Sequence, residues 1–175
     1  MNPGSRPGRL RPPCRSLTAH VLPTLVLALA ASLGCEQSAY DHLADARRGL
    51  SDAVYADAIA AAEAGLAASP DSRAEWGLEL VKLEALARAG HGDEAGRQLS
   101  TLENTYPERI AVTQYAATAG QLRDAGQGPQ AIQVLDYGLK RFPDDPMLTR
   151  LLGVGNSAGL GSAELDMLRS LGYVE

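Results

Sequence analysis

Beyond residue 39, apolar and small residues recur at steps of three and four, the spacing that places side chains on one face of a helix. Leu80, Leu83, Leu86 and Ala87 predict a helix over about residues 74–89, with Gly90 as its left-handed C-cap. Asp93 is expected to start a partner helix in which Ala95, Leu99 and Leu102 continue the pattern, until Pro107 forbids continuation. The same arrangement follows with Tyr115, Ala119 and Leu122 on one helix and Gly126 at the turn, then Ala131, Leu135 and Leu139 on the next. Each helix pair leaves an apolar face that it cannot bury alone.

The pairs are copies of one unit. Pro70, Pro107 and Pro143 stand at intervals of 37 and 36 residues. Twelve positions before them are Ala58, Ala95 and Ala131, eight before are Ala62, Leu99 and Leu135, and five before are Gly65, Leu102 and Gly138. A period in the thirties marks a stacked helical array. These residues resemble the tetratricopeptide repeat, whose large aromatic, small residue and hairpin-packing positions fall on Tyr115, Ala119 and Leu122. The unit over about 76–109 matches through Leu83, Leu86, Gly90, Ala95, Leu99, Leu102 and Pro107, with Glu79 where the aromatic is expected. The unit over about 39–72 keeps its second helix, while Leu43, Ala46 and Leu50 require a shifted register in its first. The resemblance implies an all-α fold: a tetratricopeptide-type α-solenoid of about three hairpins (39–72, 76–109 and 112–145) with a C-terminal capping helix. Residues 146–175 are expected to hold a partial helix from Met147, a Gly-rich loop, and a last helix N-capped by Ser162 that carries Leu165, Leu168 and Leu171.

The first 34 residues have another character. Arg6, Arg9, Arg11 and Arg15 precede the apolar run Val21–Leu33, which is the layout of a secretory signal peptide and is shorter than a membrane span. Ala31-Ser32-Leu33-Gly34-Cys35 resembles the lipobox of bacterial lipoproteins. That resemblance implies cleavage before Cys35, lipidation of its thiol, and a short linker over 35–38. The alternative is a cut after Ala28-Leu29-Ala30 that leaves Cys35 free. Glu36, rather than Asp, leans toward the outer membrane, facing the periplasm. Cys14 is lost with the leader, so the mature chain has a single Cys and no internal disulfide.

From residue 35 onward 12 basic residues face 21 acidic ones, a net charge of −9 that disfavours a nucleic-acid partner. One Trp, one Phe and six Tyr offer little surface for stacking bases. Gly153, Gly155, Gly159 and Gly161 miss the dinucleotide spacing and lack a following lysine, so no nucleotide loop is expected. Asp41, His42 and Asp45 could share a helix face, yet no second His stands at ligand spacing. His91 falls in a turn, and Asp93-Glu94 and Asp144-Asp145 suit helix N-termini. With no nucleophile–base–orienter set, the chain is expected to be non-enzymatic, with no cofactor, metal or small-molecule substrate.

What remains is binding. The repeat resemblance implies a groove lined by the first helix of each unit. By position its exposed side carries Leu80, Glu84 and Arg88, then Thr113, Ala116, Gly120 and Arg123. Lys and Asn are missing from the positions that clamp a partner's terminal carboxylate in one subclass of the family. The expected function is an envelope lipoprotein that docks a protein or peptide partner as a scaffold or assembly factor. The alternative is an accessory module for a separately encoded enzyme. Leu168-Arg-Ser-Leu-Gly-Tyr-Val174 resembles a segment found beside such arrays in bacterial sulfatase-like proteins, which points to that second expectation.

Overall fold

A computed structural model describes residues 38–153 and 160–174. The leader expected over 1–34, Cys35 and most of the Gly-rich loop lie outside the described residues. The described part is all-α, with no strand. Its helices are α1 (Ala39–Ser51), α2 (Tyr55–Ala67), α3 (Ser72–Arg88), α4 (Gly92–Thr105), α5 (Val112–Asp124), α6 (Gly128–Arg141), α7 (Pro146–Leu152) and α8 (Ser162–Ser170). None of them is long and apolar enough to cross a membrane.

Local chemistry sets the helix ends. Ser38 opens α1 with a reciprocal capping box: its hydroxyl accepts from the Asp41 N–H, and Asp41 Oδ2 accepts from the Ser38 N–H, both at 3.2 Å. Asp71 accepts from the N–H groups of Arg73 and Ala74 to start α3, and those amides hold its carboxyl below the usual range, Ala74 foremost. Asp145 accepts from the N–H groups of Met147 and Leu148 to start α7, with Pro146 at the first helical position. Gly90 and Gly126 end α3 and α5 at φ +78° and +77°, a conformation where a Cβ would collide with backbone. The next N–H then reaches back five residues, from His91 to the Leu86 carbonyl and from Gln127 to the Leu122 carbonyl.

Several boundaries differ from the sequence expectation. Helix α3 begins at Ser72, earlier than residue 74, because Asp71 directly after Pro70 supplies the cap. Helix α4 begins at Gly92 with His91 as N-cap, which puts Asp93 inside the first turn. Gly161, not Ser162, N-caps α8, and the Glu164 carboxylate accepts from the Gly161 N–H at 2.7 Å.

Packing is confined to near neighbours. Every pair of helices with substantial contact is adjacent in order or separated by one: α1, α3, α5 and α7 pack in succession, as do α4, α6 and α8. Two apolar clusters result. Leu43, Ala46, Ala62, Leu78 and Val81 join α1–α3, and a larger cluster runs from Leu83 through Leu99, Tyr115 and Leu135 to Leu168. Helix α3 belongs to both and is buried on two sides. Leu83, Leu86 and Ala87 take the expected face, whereas Leu78, Val81 and Ala85 form a second one that a single-face pattern misses. Leu80, expected on the first face, is only partly buried.

Small residues stand where backbones crowd. A Cβ on Gly65 would meet Leu78 and His42 at 2.7 and 2.8 Å, and one on Gly138 would meet Leu148 and Tyr115 at 2.9 and 3.0 Å. These two positions are equivalent in the period, so the recurring glycine marks a close approach.

Candidate functional site

Two surfaces come forward. The first carries the residues expected to line a groove on α3 and α5. Glu84 and Arg88 pair one turn apart at 2.7 Å. Thr113 is exposed, and its hydroxyl donates to Gln114 Oε1 at 3.1 Å. The Arg123 guanidinium donates to the Leu151 carbonyl at 2.9 Å, so it closes the end of α7 instead of standing free. A Cβ on Gly120 would meet nothing within 4 Å. The face is therefore open at its centre, while its charges are already engaged within the chain. Cys35 lies outside the described residues.

The second surface was not anticipated. A cleft of about 810 Å³ separates α4 from α6. Gly92, Gly96 and Ser100, four residues apart, line the α4 wall, and Gln130, Gln133 and Tyr137 line the α6 wall. Leu99, Val134 and Tyr115 contribute apolar floor. Tyr115 is 1% exposed, and its hydroxyl has no hydrogen-bond partner among the described residues, although the Glu103 carboxylate lies beside it. Burial, and then that carboxylate, push the phenol well above its ordinary range. Glu103 pairs loosely with Arg141 at 3.4 Å.

A buried acid was also missed. Asp136 on α6 is 4% exposed, accepts from the Tyr173 hydroxyl at 3.0 Å, and pairs with Lys140 at 2.7 Å. Burial and then Asp136 push the Tyr173 phenol up, while the hydrogen bond to Asp136 raises Lys140. The contact fastens the C-terminal segment 168–174 to α6. An acid amid Ile132, Val134, Leu135 and Gly138 was the signal available in the sequence.

The conceivable metal trio is otherwise employed. Asp41 serves the α1 capping box, and Asp45 pairs with Arg48 at 3.0 Å. Among the described residues, no group of three or more His, Cys, Asp or Glu is gathered to hold a metal ion. No family model matches the chain, nor does any curated protein or solved structure.

Proposed function

We propose that the chain is a non-enzymatic bacterial envelope lipoprotein, anchored through Cys35. Its helix pairs form a tetratricopeptide-type solenoid that holds a protein or peptide partner as a scaffold or assembly factor. The observation that carries this reading is a recurring joint. Arg109 donates to the Ser72 carbonyl, Gln130 to Asp93 and Tyr173 to Asp136, and each link spans 37 residues. Bonds between positions one period apart are what stacked copies of a unit produce, and neighbour-only packing accords with them. The lipobox-like residues before Cys35 support the anchor, and a lone thiol in an oxidising compartment is best kept by capping it. The outer membrane, on its periplasmic face, is the proposed location.

The partner surface is assigned to α3 and α5, around Leu80, Thr113 and Gly120. A photo-crosslinking residue at Thr113 of the anchored chain should trap a discrete partner, and Gly120→Phe should abolish the adduct by filling the open centre. Absence of any adduct would remove the binding role. Mass spectrometry of the mature N-terminus should find a diacylglyceryl Cys35, whereas an N-terminus at Ala31 with a free thiol would remove the anchor.

A further inference from the structure

We infer that the start of α1 and the turn between α2 and α3 rest on the headgroup layer of the membrane that holds Cys35, so the array touches lipid with its own surface as well as through its anchor. The inference rests on the lipoprotein reading proposed above. Two residues, Glu36 and Gln37, separate Cys35 from Ser38, the cap from which α1 begins. Whatever path they take, Cys35 and Ser38 stand at most about 11 Å apart. Acyl chains in the hydrocarbon fix Cys35 in the headgroup layer, which is about 5–8 Å deep in each leaflet. Helix α1 therefore starts at the lipid surface, with no stalk to lift it clear.

The residues that meet this surface follow from the packing. The Tyr40 hydroxyl donates to Asp71 Oδ2 at 2.7 Å, and a Cβ on Gly65 would touch His42, so the end of α2 and the turn into α3 lie beside the first turn of α1. Ala67, Ala68 and Ser69 are exposed there, and the chain carries no charge from Ala64 to Pro70. Tyr40 is 50% exposed, an amphipathic ring of the kind that settles between headgroups and hydrocarbon. The neighbouring acids are already engaged: Asp41 caps α1, and Asp71 takes the Tyr40 hydroxyl and two amides of α3. An uncharged patch beside a tyrosine suits a zwitterionic lipid surface and gains little from anionic lipid. The starts of α3 and α5 follow along the same edge, where Arg109 donates to the Ser72 carbonyl. Asp124, at the far end of the 13-residue α5, stands about 20 Å back from that edge.

The thioether leaves no thiol at Cys35, so one introduced cysteine can be labelled alone. Ala68→Cys and Asp124→Cys, each labelled with bimane on the mature lipidated chain, are placed in vesicles of phosphatidylethanolamine and phosphatidylcholine with nitroxide on a fraction of the headgroups. Emission from position 68 should be quenched at least twofold, with little loss at position 124 and thermal midpoints close to the parent's. Twelve Gly and Ser residues inserted after Gln37 should restore most of the emission at position 68. No quenching at position 68, equal quenching at both positions, or quenching undiminished by the insertion would overturn the inference. Ready disulfide formation between two copies of the unlabelled Ala68→Cys chain in the same vesicles would assign the surface to a second copy and overturn it as well. Mass spectrometry of the preparation separates the two ways of failing. An unlipidated N-terminus removes the anchor and this contact together, whereas a lipidated chain without quenching removes the contact alone.

Discussion

At Tyr115 the interior must accommodate a phenol oxygen, with only the Glu103 carboxylate at hand. An unmatched buried polar atom costs about 1–3 kcal/mol. Tyr115→Phe keeps the edge-to-face contact with Phe142 and removes the cost, so it should raise the stability measured by urea unfolding by about 1 kcal/mol. Tyr115 and Tyr173 both have phenols held above their ordinary range in the folded chain. The folded state therefore retains protons that the unfolded state gives up near pH 10, and stability is full below that pH and falls as pH rises past it. Thermal midpoints should drop steeply between pH 10 and 12, and Tyr115→Phe should blunt the drop. Ala53 offers a different repair. It turns the chain between α1 and α2 at φ +57°, which strains any residue bearing a Cβ. Ala53→Gly should raise the midpoint, by about 0.5–1 kcal/mol in stability.

Among the elements, α7 and α8 depend most on single contacts. Helix α7 has seven residues, too few to persist alone, and is closed at its ends by Asp145 and by Arg123. Asp145→Ala should cost about 1 kcal/mol and speed amide exchange over residues 146–152 before it affects α3 or α4. Helix α8 leans on Gly128, where an added Cβ would collide with the Glu164 carboxyl that also serves Gly161. Gly128→Ala should therefore loosen residues 162–170 selectively, as read by exchange. Elements of this kind show how far the sequence could be followed. The α4 seam was legible because Ala95, Leu99 and Leu102 occupy one narrow face, and Ala131 and Leu135 of α6 were found with it, although Ile132, Val134 and Asp136 widen that helix's buried surface and Leu139 is only partly buried. The second face of α3 was not, because a helix buried on two sides has no single stripe to find. The α8 cap was misassigned because Ser162 has the right chemistry one residue too late. The candidate surfaces were less legible still. Residues of the α3–α5 face could be named by position, but nothing in the order of residues announced that Arg123 would be spent on α7. The cleft depends on two walls from different helix pairs, with facing residues such as Gly92 and Gln130 distant in sequence, meeting in space.

For the whole molecule, the two apolar clusters set the order of disassembly. The cluster joining α1–α3 contains few large side chains, and it meets the rest mainly through α3, with Ile59 of α2 also packed against the larger cluster. Leu78→Ala should remove a fully buried side chain at a cost of about 2–5 kcal/mol. Hydrogen exchange should then show α1 and α2 opening while α5 and α6 stay protected. A single cooperative loss of protection across all helices would contradict the near-neighbour packing.

Near-neighbour packing also has an architectural corollary. Gly92 and Gly128 each open a helix, 36 residues apart, and both follow a residue that caps without its side chain. A second copy of residues 92–127 spliced in after Gln127 would meet at equivalent junctions. The lengthened polypeptide should fold, gain helical signal in proportion, and carry one more cleft of the α4–α6 kind. Reach, in such a molecule, is a quantity evolution can adjust by duplication without redesigning either end.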